Sequence, residues 1–156
     1  MNAFLQFLEQ SSFAVAIRQS TWLYPFLEII HITGIVLLVG GAFLFDLRLL
    51  GSSKHLPVDG LSRHILPWSL RGLILVIPSG LLLFTTNSST LGYDPVFWTK
   101  MTLLVVAGLN AFIFHKIVSR SQYNNKTETH SAAKFMAVLS IVLWIAIIAC
   151  GRLLAY

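Results

Sequence analysis

The chain has 156 residues, of which 56% are apolar and only 11% charged, with a formal net charge of +5. Soluble domains carry about a quarter charged residues, so this composition excludes an ordinary soluble fold, and its hydrophobicity excludes a disordered chain. The length allows one domain, and a lone cysteine, Cys150, excludes a disulfide framework or a Cys-rich metal site.

Residues 1–20 mix Phe4, Leu5, Phe7, Leu8 and Phe13 with Gln6, Glu9, Gln10 and Arg18. The segment is too short and too polar to span a bilayer and lacks the basic start and cleavage site of a secretory signal. It reads as an amphipathic helix that either lies in the membrane interface or covers the mouth of a bundle. Four apolar runs follow, at 22–46, 66–85, 96–118 and 133–153. Each approaches or exceeds the roughly 20 residues that a spanning helix needs. The runs are continuous and do not alternate, which argues against strands. The expected fold is an all-α integral membrane four-helix up-down bundle with an N-terminal interfacial amphipathic helix, in one membrane domain over 1–156.

Local signals mark the ends of these runs. Asp94-Pro95 offers an N-cap acid before a proline at the first helical position, and Pro67 is placed to do the same for the second run. Pro78 falls inside the second run and should kink it. Gly51-Ser52-Ser53 and the stretch from Asn87 to Gly92 are turn-rich and should end the first two helices.

Basic residues set the expected orientation. Arg48, Lys54, Arg63 and Arg71 cluster between or beside runs one and two, and Lys116, Arg120, Lys126 and Lys134 between runs three and four. The positive-inside rule places both clusters in the cytoplasm and both termini outside a bacterial inner membrane. Trp22, Tyr24, Tyr93, Trp98 and Tyr156 then fall near the outer boundary and Trp68 near the inner one, as an aromatic belt requires.

An ionisable side chain inside a spanning helix points to a functional site by default. Glu28 and His31 are three residues apart and share a helix face. At about 1.5 Å per residue, Glu28 lies roughly 9 Å and His31 roughly 14 Å inward from Trp22, and Lys100 roughly 6 Å inward from Val96. Acid, imidazole and amine therefore meet in the outer half of one bundle. Glu28 can pair with Lys100 or accept a proton from His31. A single Glu-x-x-His pair with no further inward glutamates does not build a carboxylate di-iron site. His115 lies roughly 15 Å deeper than His31, so the two do not share one haem iron. His64 reads as a loop residue, and Asp46, Arg48 and Arg71 are placed for an ion pair near the inner boundary. Gly34 and Gly41, seven residues apart on the His31 side, permit either close helix packing or a slot for a flat macrocycle. Ala107, Gly108 and Ala111 form a similar strip below Lys100.

The stretch from Trp22 through Glu28, His31 and Gly34, with Gly40-Gly41, Asp46-Leu-Arg48 and Gly51, resembles a family of small bacterial membrane proteins of unknown function. Pro67-Trp68, Gly72, Phe97-Trp98-Thr-Lys100, Gly108-Leu-Asn110 and His115 fit the same pattern. More distantly the layout resembles the four-helix protoporphyrinogen oxidase of the HemJ type and the CopD copper-resistance domain. The HemJ resemblance implies haem b on the first-helix histidine, which here is His31, with Lys100 and His115 in the later Trp-Lys-His pattern.

Three function classes follow. The first is a haem b-binding redox protein or oxidase. Here His31 is the metal ligand, Glu28, His115, Gly34 and Gly41 line the cofactor, and Lys100 holds a propionate or moves protons. The second is a CopD-like metal-tolerance or transport component, and the third a cofactor-free membrane scaffold or subunit. The partners these classes imply are the lipid bilayer, a porphyrin or quinone, and further copies of the chain, with no nucleic acid.

Overall fold

The computed structural model describes residues 2–52, 58–124 and 129–154, and those residues form seven helices and no strand. The order is α1 (Asn2–Glu9), α2 (Ser12–Gln19), α3 (Leu23–Leu49), α4 (Val58–Thr86), α5 (Ser88–Leu91), α6 (Pro95–Asn124) and α7 (Thr129–Leu153). Four stretches are long and apolar enough to cross a membrane: Leu23–Leu49, Pro67–Thr86, Pro95–Phe114 and Ser131–Leu153. The up-down bundle expected from the four apolar runs is therefore present.

Two hairpins make the bundle. α3 packs along α4, α6 packs along α7, and α3 and α7 join the two hairpins. In the first hairpin the helices touch through glycine. A Cβ on Gly72 would lie 2.7 Å from both the Gly34 carbonyl oxygen and the Leu38 nitrogen. A Cβ on Gly34 would meet Val76 Cγ2 at 2.8 Å and Leu75 Cβ at 2.9 Å. Gly41 is pressed against the Ser69 hydroxyl in the same way. Small residues of this kind let helix backbones approach where lipid removes the hydrophobic drive between helices. In the second hairpin Ala107, Leu143 and Ile147 form a small buried cluster with Leu103, Leu104, Leu139 and Trp144 around it.

Helix ends follow the chain's local chemistry. Asp94 Oδ1 accepts the Val96 amide at 2.7 Å, so the acid before Pro95 caps α6 as expected. Gly51, at φ 107°, closes α3. The Ser52 amide bonds Leu47 O at 3.0 Å and the Gly51 amide bonds Arg48 O at 3.2 Å, the paired bonds of a Schellman turn. Pro67 does not start a helix. α4 begins at Val58 and carries both Pro67 and Pro78 inside it. α6 and α7 also extend beyond the apolar runs, because helix continues for as long as the backbone can bond to itself. The turn-rich stretch after Asn87 holds the single-turn helix α5. Lys54, Lys126 and Tyr156 lie outside the described residues.

The N-terminal segment is two helices broken at Gln10–Ser11, with Ser11 capping α2 through the Ala14 amide. It packs on α3, α4 and α5 as a cover over one end of the bundle. Leu5, Ala14 and Ile17 are buried, while Phe4, Phe7 and Phe13 point outward. The cover is fastened across the start of the α4–α6 connection. The Ser88 hydroxyl, fully buried, donates to Leu5 O at 2.8 Å. One carboxylate oxygen of Glu9 accepts from the Ser89 amide at 2.9 Å and from the Ser89 hydroxyl. The other pairs with Arg18 at 3.1 Å. This end, which carries both termini, is called the capped end below.

Ser89 and Arg18 favour the ionised form of Glu9 and hold its carboxyl below its usual value of 4.5. A depressed carboxylate contributes stability above its unfolded-state pKa and loses it as pH falls through the folded value. Protection factors of the α1 and α2 amides, corrected for intrinsic exchange, should therefore fall below about pH 4.5, and in Glu9→Gln they should be low at every pH. Wild-type protection that does not change with pH would contradict this. The glycine contacts give a second expectation. Gly72→Ala should destabilise by about 1–3 kcal/mol through overpacking. Gly40→Ala, where a Cβ meets nothing within 4 Å, should gain about 0.5–1 kcal/mol from helix propensity. Unfolding in bicelles measures both.

Candidate functional site

Most polar side chains within the spans are satisfied by their own helix. Thr33 bonds Ile29 O, Thr86 bonds Leu83 O, Thr99 bonds Pro95 O and Thr102 bonds Trp98 O. Such back-bonding lets a hydroxyl sit in hydrocarbon without an interhelical partner. His31, Lys100 and Asp46 do not fit this pattern.

His31 projects from α3 onto α4. Its Nδ1 lies 2.9 Å from Ser79 Oγ, and its Cε1 would lie only 3.0 Å from a Cβ on Gly80. A Cβ at position 80 would force the ring to give way by a few tenths of an ångström. Ser79 is buried and donates its single hydroxyl proton to Leu75 O. Its oxygen is therefore an acceptor towards His31, so Nδ1 carries the proton. In the neutral ring Nε2 is then the nitrogen with a free lone pair. A bonded Nδ1–H with a free Nε2 is the arrangement that orients histidine as a metal ligand or proton acceptor.

Lys100 enters from α6. Its ammonium lies against Gly151 of α7, with Nζ 3.5 Å from a Cβ built there, and it is the charge that acts on the His31 ring. It has no ion pair and no hydrogen bond among the described residues. Glu28 is not its partner. That carboxylate is exposed and takes a hydrogen bond from Tyr24 one turn earlier, so neither expected role of Glu28, as partner of Lys100 or as acceptor from His31, is made.

The remaining candidates separate from this pair. Gly34 and Gly41 are packed against α4, with Leu75, Val76 and Ser69 where their side chains would stand, which is the close-packing alternative of the two expected for them. The side chain of His115 lies outside the described residues, and His64 is exposed on α4 rather than in a loop. Asp46 is only 7% exposed. The Ser140 hydroxyl of α7 bonds its carboxylate, while Oδ2 has no partner among the described residues. Arg71 lies over the Trp68 ring, 4.7 Å from its centroid, and not on Asp46. Sequence reasoning missed Ser79 and Gly80. Their only signal is the Pro78-Ser79-Gly80 run inside an otherwise apolar segment.

Among the described residues no three His, Cys, Asp or Glu side chains converge to hold a bare metal ion. The site is instead one oriented imidazole and one uncompensated ammonium, embedded in a helical bundle. The fold defines a multi-pass helical membrane protein. Residues 4–156 match a family of unknown function, DUF6644, and the chain belongs to that family. No curated protein and no solved structure matches it.

The bond between His31 and Ser79 has a thermodynamic signature. Ser79→Ala removes one α4 partner of the His31 ring and leaves the Val76 carbonyl as the other, and should cost about 0.5–1.5 kcal/mol of unfolding free energy. The double variant His31→Leu/Ser79→Ala removes both partners and should cost less than the sum of the single changes. Additive costs in bicelle unfolding would show that the two side chains do not interact.

Proposed function

We propose that this protein is a haem b-binding redox protein of the membrane, with His31 as the axial ligand and Lys100 as the partner of a propionate. The observation that supports the reading best is the Ser79-bonded Nδ1, which leaves Nε2 as the free nitrogen in the same half of the bundle as an ammonium without a counter-ion among the described residues. The donor set suits a porphyrin better than a bare ion, because the macrocycle brings four nitrogens of its own and asks one or two ligands of the protein. Haem b, when bound, supplies one-electron chemistry at its iron. Ser79 holds the imidazole in the ligating tautomer, and Gly80 makes room for its ring. Lys100, otherwise a desolvated charge, gains most from an anion at that depth. The basic loops support an orientation with the capped end outside and this site in the outer half of the membrane.

A second reading is a cofactor-free scaffold. The seam between α3 and α4, closed by Gly34, Gly41 and Gly72, supports it, since tight glycine packing serves assembly without any ligand.

Absorption spectroscopy of protein purified in mild detergent from haem-replete cells separates the two readings. The haem reading expects a Soret band that His31→Ala abolishes. Lys100→Ala should retain the band but lose it faster to a haem acceptor such as apomyoglobin. Full haem content in His31→Ala would remove the ligand assignment. A colourless wild type bound stoichiometrically to another chain would favour the scaffold.

A further inference from the structure

Phe84 of α4 and Phe97 of α6 stack with their ring centroids 5.2 Å apart. Gly80, beneath the His31 ring, lies one turn below Phe84, and Lys100 lies about one turn below Phe97. The stack therefore roofs the site on the side of the capped end. Above it lie the α1–α2 cover and the buried Thr86, Ser88 and Gly92. The site is shielded from water at that end.

The flank is different. Among the described residues α4 and α6 are not one of the closely packed helix pairs. Along α4, Ile77 and Leu73 continue the stripe of Phe84 at spacings of seven and eleven residues, and they are 51% and 38% exposed. Along α6, Leu104, Gly108 and Ala111 continue the stripe of Phe97 at spacings of seven, eleven and fourteen. Gly108 and Ala111 are exposed, and a Cβ on Gly108 meets nothing within 4 Å. Further along, the α3–α6 gap is crossed by an edge-to-face contact of Phe45 and Phe114 at 5.6 Å. Between the Phe84–Phe97 stack and the far end of the bundle, the facing stripes of α4 and α6 are apolar and largely exposed, with small residues on α6.

We infer that the His31–Lys100 site is loaded from the bilayer through the opening between α4 and α6, by a membrane-dissolved molecule that brings a carboxylate to Lys100 and leaves its apolar body in the gap. The charge complementarity is specific: Lys100 has no anionic partner among the described residues, and the roof stands between it and the water at the capped end. The inference uses the same site as the haem reading but does not depend on haem. A porphyrin propionate and the head of a long-chain fatty acid share the required chemistry.

Electron paramagnetic resonance tests this with stearic acid carrying a nitroxide near its carboxyl end, added to the full-length protein in phosphatidylcholine bilayers. The wild type should show a motionally restricted component. Lys100→Gln should weaken binding about tenfold, the change expected on losing one charge-assisted hydrogen bond. Gly108→Phe and Ile77→Trp, which fill the gap from its two walls, should lower it similarly. Gly40→Phe, on the exposed α3 stripe of Val36 and Leu44, should leave it unchanged. Added haemin should displace the spin label if haem is the resident carboxylate. Retention of the label with haemin would leave the opening in place and count against the haem reading alone. Equal spectra for wild type, Lys100→Gln and Gly108→Phe, with both variants folded by circular dichroism, would overturn the inference even in a protein that contains haem.

Discussion

The close approach of α3 and α4 at Gly34 and Gly72 is the constraint on which the rest depends. Because a Cβ at either position would strike backbone or a side-chain root of the other helix, the two helices run nearer than larger residues would permit. That proximity carries the His31 ring onto Gly80 and brings Nδ1 within hydrogen-bonding distance of Ser79. With wider spacing the imidazole would have no partner on α4, and Nδ1 and Nε2 would be equivalent choices for its proton. Packing here sets the chemistry of a nitrogen.

The membrane imposes the second constraint. Most hydroxyls within the spans return to carbonyls of their own helix, and Asn110 reaches across to Met136 O on α7 at 3.2 Å. Such satisfaction removes the cost of polar groups in hydrocarbon. Among the described residues the Lys100 ammonium, the Oδ2 of Asp46 and the Ser69 hydroxyl packed against Gly41 lack a hydrogen-bond partner, and of these Lys100 and Asp46 are ionisable. These two occupy opposite halves of the bundle. Lys100 shares its half with His31, and the roof formed by Phe84 and Phe97 keeps the capped-end water from it. Asp46 stands at the α3–α7 junction of the two hairpins, bonded to Ser140.

The spans, the α6 cap at Asp94 and the turn at Gly51 were legible because each rests on local chemistry: hydropathy, a short acceptor before proline, and a residue that tolerates positive φ. That His31 and Lys100 lie in the same half of the bundle was legible because depth along two helices can be counted from the sequence. The partner of each was not. Glu28 shares a face with His31, yet Tyr24, one turn away on the same helix, takes it. Ser79 is far from His31 in sequence, and nothing in a hydroxyl among apolar residues reveals the helix it faces. Gly34 and Gly41 allowed two readings because a glycine marks close approach without naming what approaches. Pro67 misled for a related reason. A proline at the start of an apolar run looks like a first-turn residue, but α4 begins earlier in polar sequence that hydropathy does not mark.

The central claim is that Ser79 fixes the His31 proton on Nδ1 and leaves Nε2 as the free nitrogen. Nitrogen-15 NMR of histidine-labelled protein in bilayers, assigned with the His31→Gln variant, tests it most directly. The account expects the neutral His31 ring to be protonated at Nδ1 in ligand-free protein, with the Nδ1–H signal shifted by Ser79→Ala. A His31 ring that carries its proton on Nε2 and is indifferent to Ser79→Ala would contradict the account.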